Sequence, residues 1–370
     1  MIGINLKATL ERHRGFWDRT AGPFVSVSKY SPLAPLRLTT SDGTLAVGKI
    51  YLTPQMLSVD DMLDIEESPP RPRLQPDQEG GINGDLLIVR SPWTRMAWLE
   101  AIMGCPVAAH VDAGSVYSEP YLGGPQEIDR IPRLRDNGWL DLLVEYARAL
   151  ADNADGRYYV SHPLMRGSID LVAALIGYEA LGFGLFDCPT EIRKMAELSI
   201  EVFMVVADAL DAVVPTTAEG RVSRFNMYAP GTVSVTQCDA SASFSSKHYE
   251  DFFFPYDELT CKYFDYSIIH LHSSYLHTID TFLKGDYPTA IQVSLDTEAT
   301  NKPVSDLVPI FKRILGSKPM FISGRITKEE LDELLDALPH PGLCIIAYQA
   351  DSRHRMADSP DDKNAPYVGH

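Results

Sequence analysis

Short apolar runs alternate with longer amphipathic segments from about residue 86 to residue 350 of this 370-residue chain. β-Branched residues enrich the short runs, which favours strands, whereas apolar residues recur at helical spacing in the longer segments. The predicted strands are residues 86–89, 107–111, 158–161, 232–237, 266–272, 290–295, 320–323 and 343–348. The predicted helices are residues 93–103, 138–152, 168–181, 190–213, 248–264, 275–283, 304–315 and 327–338. About eight such units predict an α/β fold, a single (β/α)8 TIM barrel over residues 86–350.

An open doubly wound sheet is the alternative architecture. That fold would favour a glycine-rich nucleotide-binding turn after an early strand. The sequence contains neither GxGxxG nor GxxxxGK[ST]. The barrel is therefore the preferred prediction.

The chain outside the predicted barrel is less regular. Residues 1–85 predict an N-terminal extension with a helix, short strands and a Pro-rich acidic loop packed on the barrel. Proline fits neither a helix interior nor a central strand, so residues 66–83 are expected to form a loop that is either a lid or disordered. Residues 351–370 are polar and predict a mobile tail.

Composition narrows the range of partners. A net charge of −17 argues against nucleic acid, because phosphate binding needs clustered Lys and Arg. The N-terminus lacks the apolar core of a signal peptide. The sequence contains no uncharged apolar run long enough to predict a membrane span. Five cysteines without a CxxC motif suit a reduced, cytoplasmic protein. The expected partner is a small-molecule substrate. The aromatic run at residues 252–254 predicts a homodimer.

The segment FDYSIIHLHSS is the best single indication of function, because it reads as a strand that ends in polar residues. Side chains alternate along a strand, so His270 and His272 share one face, and barrel strands deliver chemistry from their carboxyl ends. Two imidazoles can hold a divalent metal such as zinc at about 2.0–2.1 Å. A third ligand would come from Asp239, Asp296 or Cys344. Contact with substrate without metal, or a purely structural role, stays open for both histidines.

Other polar side chains also follow predicted strands. Asp239 and Asp296 are predicted to be catalytic together with His272, since a carboxylate at a barrel strand end can be a ligand, a general base or an electrostatic anchor. Aspartate at such a turn can also be only a turn former. Three further residues near strand ends are predicted to bind substrate: His162, Arg325 and Tyr348.

Three segments, in their order and spacing, resemble the uroporphyrinogen decarboxylase superfamily, which also contains zinc- and corrinoid (cobalamin)-dependent methyltransferases. The first is SPWTRMAWLEAIMGCPV at residues 91–107. The second is GSIDLVAALIGYE from residue 167, followed by DCP at residues 187–189, similar to the family's G-x-x-D-L helix and D-x-P-E start. The third is the block at residues 238–270, where the family places a helix entering F-x-P and a strand ending in H-x-C.

This resemblance implies a TIM barrel with its cleft at the carboxyl ends of the strands. It also implies methyl transfer to a metal-activated acceptor, with a corrinoid, carried by a corrinoid protein, or a methylated small molecule as donor. The sequence departs from the family in its ligands. The zinc methyltransferases use His-x-Cys and a later Cys, whereas this chain has His270-x-His272, and Cys344 begins the last predicted strand.

A second departure concerns the decarboxylases of the superfamily. They carry an Arg-rich R-Q-A-G-R motif that grips substrate carboxylates, and residues 12–15, RHRG, resemble it only faintly. Two alternatives to methyl transfer therefore stay open. One is a metal-free decarboxylase that acts on a carboxylate-bearing, porphyrinogen-like substrate, and the other is a ligand-binding barrel without catalysis.

Overall fold

A single large parallel sheet organises the molecule. The computed structural model describes residues 6–29, 46–60, 62–63, 82–83, 85–93, 96–132, 134, 136–296 and 302–349. The seven strands of this sheet are numbered in chain order: β1 Phe24–Lys29, β2 Met165–Arg166, β3 Val233–Gln237, β4 Tyr266–His272, β5 Ala290–Leu295, β6 Met320–Ile326 and β7 Leu343–Gln349. They lie in the order β1-β7-β6-β5-β4-β3-β2, and every neighbouring pair is parallel. Parallel neighbours need crossover connections, which are mostly helical here.

The helices begin and end where the sequence supplies caps or breaks. Asn137 caps one helix by accepting from Trp139 N and Leu140 N, and Thr327 forms a capping box with Glu330 at the start of another. The helices of the described residues are Leu6–Trp17, Trp98–Ile102, Gly138–Asp152, Ser168–Asp187, Pro189–Asp211, Ser246–Phe252, Phe254–Lys262, Ile279–Leu283, Val304–Ser317 and Lys328–Ala337.

Most predicted elements are confirmed, but the predicted strands at residues 86–89, 107–111 and 158–161 lie outside the seven-stranded sheet. Strands β3 to β7 and the helix Gly138–Asp152 lie at or close to their predicted bounds. Val107–His110 is a strand, but its predicted place among the barrel strands is wrong. It pairs antiparallel with Lys49–Leu52 and with Ser115–Ser118 in a separate sheet, because a four-residue connection allows only a hairpin and not a crossover.

The N-terminal extension contributes to the large sheet. β1 pairs in parallel with β7, with Phe24 opposite Cys344. The predicted domain boundary at residue 85 stays a prediction. Of the predicted loop or lid at residues 66–83, only the short strand Ile82–Asn83 is described, and the predicted tail at residues 351–370 lies outside the described residues.

The helix Ser168–Asp187 is strongly apolar. Among the described residues, Ser168–Asp187 is the one helix long and apolar enough to cross a membrane by length and composition, and 56% of the window that meets this test is buried inside the protein. Gly177, with φ of 80°, interrupts its helical geometry, a conformation that glycine adopts at little cost. The buried first half of this helix belongs to the main apolar core, together with residues of the helix Pro189–Asp211.

Both faces of the sheet are buried, as expected for parallel strands. One face packs against most of the helices, and the other encloses a separate apolar cluster that includes residues from β1, β3, β4, β5, β6 and β7. The helix Leu6–Trp17 covers the amino end of this inner face. There the Phe16 ring lies 4.6 Å from that of Phe321, and the Trp17 ring lies 4.7 Å from that of Tyr266.

Polar residues replace this apolar cluster at the carboxyl ends of the strands. The register aligns Gln237, His270 and Gln292 across β3, β4 and β5, and it aligns His272 with Ser294 and Ser323 one step further along. Residues at the same level of a parallel sheet share a face, so these side chains converge. The α/β fold thus has an apolar amino end and a polar carboxyl end.

Candidate metal centre

Four of the predicted site residues meet beyond β3, β4 and β5: Asp239, His270, His272 and Asp296, together termed the carboxyl-end cluster. The Nε2 atoms of His270 and His272 are 3.2 Å apart. Asp239 Oδ2 lies 3.9 Å from His272 Nε2. One ligand atom from each of Asp239, His270 and His272 falls within 4.8 Å of the others, so the three could bind one ion.

Each histidine is fixed through its other ring nitrogen. Asp296 Oδ1 accepts from His272 Nδ1 at 2.6 Å, and its Oδ2 accepts from the backbone N of Ser274 at 2.8 Å. Gln292 Oε1 contacts His270 Nδ1. With both Nδ1 atoms engaged, both rings direct Nε2 into the same space. Such outer contacts set the tautomer and orientation of metal-binding histidines.

Asp239 is held in place by two donors. Tyr275 donates its hydroxyl to Oδ1 at 2.9 Å, and Gln237 donates its amide to Oδ2 at 2.8 Å. The Tyr275 ring also stacks on His272, with centroids 5.3 Å apart and an interplanar angle of 28°. Tyr275 therefore links the carboxylate and one of the histidines.

The pKa values of the two histidines are shifted in opposite directions. Burial, followed by the charge of His272, lowers the pKa of His270 to about 3, so this ring is neutral at physiological pH. Burial also disfavours the charged form of His272, but the hydrogen bond that His272 donates to Asp296 and the charges of Asp239 and Asp296 outweigh it and raise the pKa of His272. A proton on His272 Nε2 would point at His270 Nε2, which is the space that a shared cation would take.

More carboxylates lie behind the cluster. Gln237 Nε2 also contacts Asp170 Oδ2 at 3.1 Å, and Arg166 pairs with both Asp170 and Glu100. Burial, and after it the charge of Asp239, raises the pKa of Asp170 to about 6. Burial likewise raises the pKa of Glu100, against the opposing charge of Arg166. Four carboxylates are thus gathered around or behind two imidazoles.

The predicted substrate residues lie in different places. His162 is apart from the carboxyl-end cluster, because its Nε2 is 2.9 Å from Oδ1 of Asp211, the last residue of the helix Pro189–Asp211. Arg325 and Tyr348 are neighbours across β6 and β7, two residues beyond the level of Ser323 and near the strand ends. Whether any of these three binds substrate stays a prediction.

Cys344 and the arginines at the N-terminus do not join the cluster. Cys344 is buried near the start of β7, and burial raises the pKa of its thiol, which opposes the thiolate form that metals bind. Arg12 lies over the Phe24 ring and pairs with Asp85, while Arg14 donates to Tyr228 OH at 3.1 Å. These contacts belong to the amino end.

Sequence reasoning missed several residues that support the cluster. Gln292 sits on the same strand level as His270, and Gln237 and Asp170 stand behind Asp239. Polar residues inside apolar strands, such as Gln in the run AIQVSL, are a signal that could have found them. Tyr275 and Arg166 gave no such signal, because their roles depend on loop conformation and on contacts distant in the chain.

The donor set fits a divalent ion. Two nitrogens bound tetrahedrally to zinc at 2.0–2.1 Å are separated by about 3.3 Å, close to the spacing of the two Nε2 atoms. Two imidazoles and a carboxylate are also a ligand set of non-haem Fe(II) and of catalytic zinc. This arrangement leaves further coordination positions for a substrate.

The comparisons with known proteins bear on the fold. Neither the protein-family models nor the curated proteins include a match to this chain. Among solved structures, the chain is similar to a methyltransferase from Methanosarcina mazei, with a TM-score of 0.55 and 10% identity over 91% of this chain and 92% of that one. At this identity the likeness shows the fold alone. It agrees with the predicted α/β fold, while the closed TIM barrel stays a prediction.

Proposed function

We propose that this protein is a metal-dependent methyltransferase with the barrel of the uroporphyrinogen decarboxylase superfamily, whose ion is held by His270, His272 and Asp239. The observation that carries the proposal is the 3.2 Å separation of two Nε2 atoms whose rings are each fixed through Nδ1. Zinc is the best fit to these ligands. When bound, the ion would act as a Lewis acid that delivers a thiol or hydroxyl acceptor in its deprotonated form at neutral pH.

Charge supports a cation at this place. Asp239 and Asp296 each leave only 11% of their side chain exposed, and buried charges are normally paired or bind metals. Asp170 and Glu100 add further negative potential behind them. A divalent ion between the Nε2 atoms and Asp239 would neutralise much of this charge.

The remaining residues have supporting tasks. Asp296 and Gln292 hold the two imidazoles, and Tyr275 holds Asp239 while covering one face of His272. The methyl group would leave its donor, a corrinoid on a partner protein or a methylated small molecule, without the bonding electron pair. The acceptor would form the new bond with its own lone pair after losing its proton to solvent. Arg325 and Tyr348, across the cleft, would contact the substrate.

A closed ring of strands would complete this site. Leu86 joins the inner apolar cluster together with Phe24 of β1. The strand Val89–Arg90 pairs in parallel with Tyr159–Val160, which precedes β2 by only four residues. These two short strands would bridge β1 to β2 and enclose the inner face, as in a TIM barrel.

Metal analysis tests this proposal. Untagged protein, purified without chelators and under anaerobic conditions, should contain near-stoichiometric zinc by inductively coupled plasma mass spectrometry. The double variant His270→Ala/His272→Ala should lose it. A matched double variant of two exposed histidines, His277→Ala/His340→Ala, should keep the metal of the wild type.

Each outcome directs the next step. Zinc that depends on His270 and His272 would justify assays with thiol and hydroxyl acceptors and methylated corrinoid. Iron at the same ligands would keep the site but change its chemistry. A folded protein that neither contains nor takes up metal would overturn the proposal. It would leave the metal-free decarboxylase and the non-catalytic barrel as the remaining functions, which alanine at Arg325 would separate in ligand-binding and decarboxylation assays.

A further inference from the structure

A row of hydrogen-bonded side chains runs from His270 of the carboxyl-end cluster across three strands, β4, β5 and β6. Gln292 of β5 is fully buried, with no exposed surface. Its Nε2 donates to Ser323 Oγ of β6 at 2.8 Å, and its Oε1 contacts His270 Nδ1 of β4. Burying an amide is costly unless its polar atoms are satisfied, so both ends of Gln292 are committed to these neighbours.

This row determines which nitrogen of His270 carries the proton. A neutral imidazole has one N–H donor and one lone-pair nitrogen. Because Gln292 donates through Nε2 to Ser323, its Oε1 faces His270, and an amide oxygen can only accept. The proton of His270 is then on Nδ1, and Nε2 presents its lone pair toward His272.

Building on the metal site of the proposed function, we propose that Gln292 is a positioning residue that fixes His270 in the Nδ1–H tautomer and so makes its Nε2 a metal ligand, with Ser323 setting the orientation of the amide. The arrangement parallels that of Asp296 and His272, with a neutral amide in place of a carboxylate. A ligand ring backed by an amide stays neutral more readily than one backed by a carboxylate. The site therefore gains a second nitrogen ligand without another buried charge.

The test separates hydrogen bonding from packing. Gln292→Met keeps the length and approximate volume of the side chain but removes the acceptor, whereas Gln292→Glu keeps an acceptor. Ser323→Ala frees the amide to rotate. Ser267→Ala is the control at a second strand serine. Ser267 is buried, whereas Ser323 is partly buried, and Ser267 bonds Thr289 near the start of β4, away from His270.

Two measurements are made on each variant. The first is the 15N chemical-shift pattern of His270 in metal-free protein labelled at histidine, assigned by its loss in His270→Ala. The second is zinc affinity by competition with a chromophoric chelator. Gln292→Met is expected to move His270 to the Nε2–H tautomer and to weaken zinc binding about 10- to 100-fold, the usual effect of losing such a contact. Gln292→Glu should restore both properties, Ser323→Ala should weaken zinc binding by less, and Ser267→Ala should change neither.

The outcomes separate this inference from the function on which it rests. If folded Gln292→Met keeps the Nδ1–H tautomer, or binds zinc as tightly as the wild type, the positioning role is overturned while the metal site stands. If the wild-type protein binds no metal, the proposed function fails, and the role of Gln292 as a support for a ligand fails with it. Thermal unfolding of each metal-free variant shows whether a loss of affinity comes only from a loss of fold.

Discussion

Buried histidines lie at both ends of the parallel sheet, but the contacts of their ring nitrogens differ. At the amino end, His13 is fully buried and both ring nitrogens are satisfied, since Nε2 donates to the Asp85 carbonyl at 2.6 Å and Nδ1 accepts from Tyr228 N at 2.9 Å. At the carboxyl end, the Nε2 atoms of His270 and His272 face each other with carboxylates around them. The first arrangement is complete in itself, whereas in the proposed function a cation would complete the second. In barrels the amino end generally serves stability and the carboxyl end serves chemistry.

The largest expected effect is a loss of folding stability from a substitution at the amino end. Phe16 is fully buried against Phe24 and Phe321, so Phe16→Ala should lower the free energy of unfolding by about 3–5 kcal/mol through lost burial and a cavity. Zinc affinity should change less than threefold, because the contacts of Phe16 lie away from the carboxyl-end cluster. Chemical denaturation and chelator competition measure the two quantities. Phe16→Leu provides a milder variant if Phe16→Ala does not fold.

A loss of zinc affinity in folded Phe16→Leu as large as that in Gln292→Met would contradict the separation of the two ends. It would mean that the strands transmit disorder from one end of the sheet to the other. The contrast between stability and chemistry would then be a property of the whole sheet and not of its ends.

A smaller effect is expected from pH. Burial lowers the pKa of His13 to about 4 from an ordinary value of 6.5, with Arg12 lowering it further and Asp85 opposing. Between these values the unfolded chain binds a proton that the folded chain refuses, so the contribution is fully present above pH 6.5 and is lost as pH falls toward 4. A shift of this size corresponds to about 3 kcal/mol.

The measurement compares the wild type with His13→Gln in metal-free denaturation series between pH 4 and pH 7.5. Gln removes the titration, so the wild type should be the more stable protein at pH 7.5 and should lose that advantage as pH falls. His270, whose pKa burial lowers to about 3, acts in the same direction in both proteins and cancels in the difference. A difference that is constant with pH would show that His13 does not titrate in this way.

The sequence predicted the fold better than it predicted the surroundings of the site. Strands such as β4 and β5 are strongly apolar and β-branched, so their local pattern was enough to locate them. β2 is two residues long, and Met165–Arg166 carries no periodic signal; its place follows from pairing with Thr236 and Gln237. The hairpin strand Val107–His110 looked like a barrel strand because an apolar run does not show its partner.

The same limit applies to the carboxyl-end cluster. The alternation of side chains along a strand predicted that His270 and His272 share one face. Asp239 and Asp296 were predicted because each follows the end of a strand, so these four residues could be predicted together. Tyr275 could not, because nothing in its local sequence shows that its loop brings it to Asp239. Gln292 was visible as a polar residue in an apolar strand, but its contact with His270 was not. Hydrogen bonds between distant residues depend on register and loop geometry, which periodicity does not report. His162 also follows a predicted strand, but it lies apart from the cluster and pairs with Asp211, a contact that the sequence pattern does not report.

The smallest expected effect sharpens the comparison, because it should have opposite signs with and without metal. Asp239→Asn removes one charge beside Asp170, whose pKa burial and the charge of Asp239 raise to about 6. Metal-free protein should therefore gain up to about 1 kcal/mol of stability, because the repulsion between the two carboxylates is removed. An amide is a poorer zinc ligand than a carboxylate, so stabilisation by added zinc should shrink.

Asp280→Asn, at an exposed ion pair with Arg313, is the matched control and should change neither quantity by more than about 0.5 kcal/mol. Destabilisation of metal-free Asp239→Asn would mean that its attraction to His272 and its bonds to Tyr275 and Gln237 outweigh the repulsion. The carboxyl end, like the amino end, would then be complete without a cation.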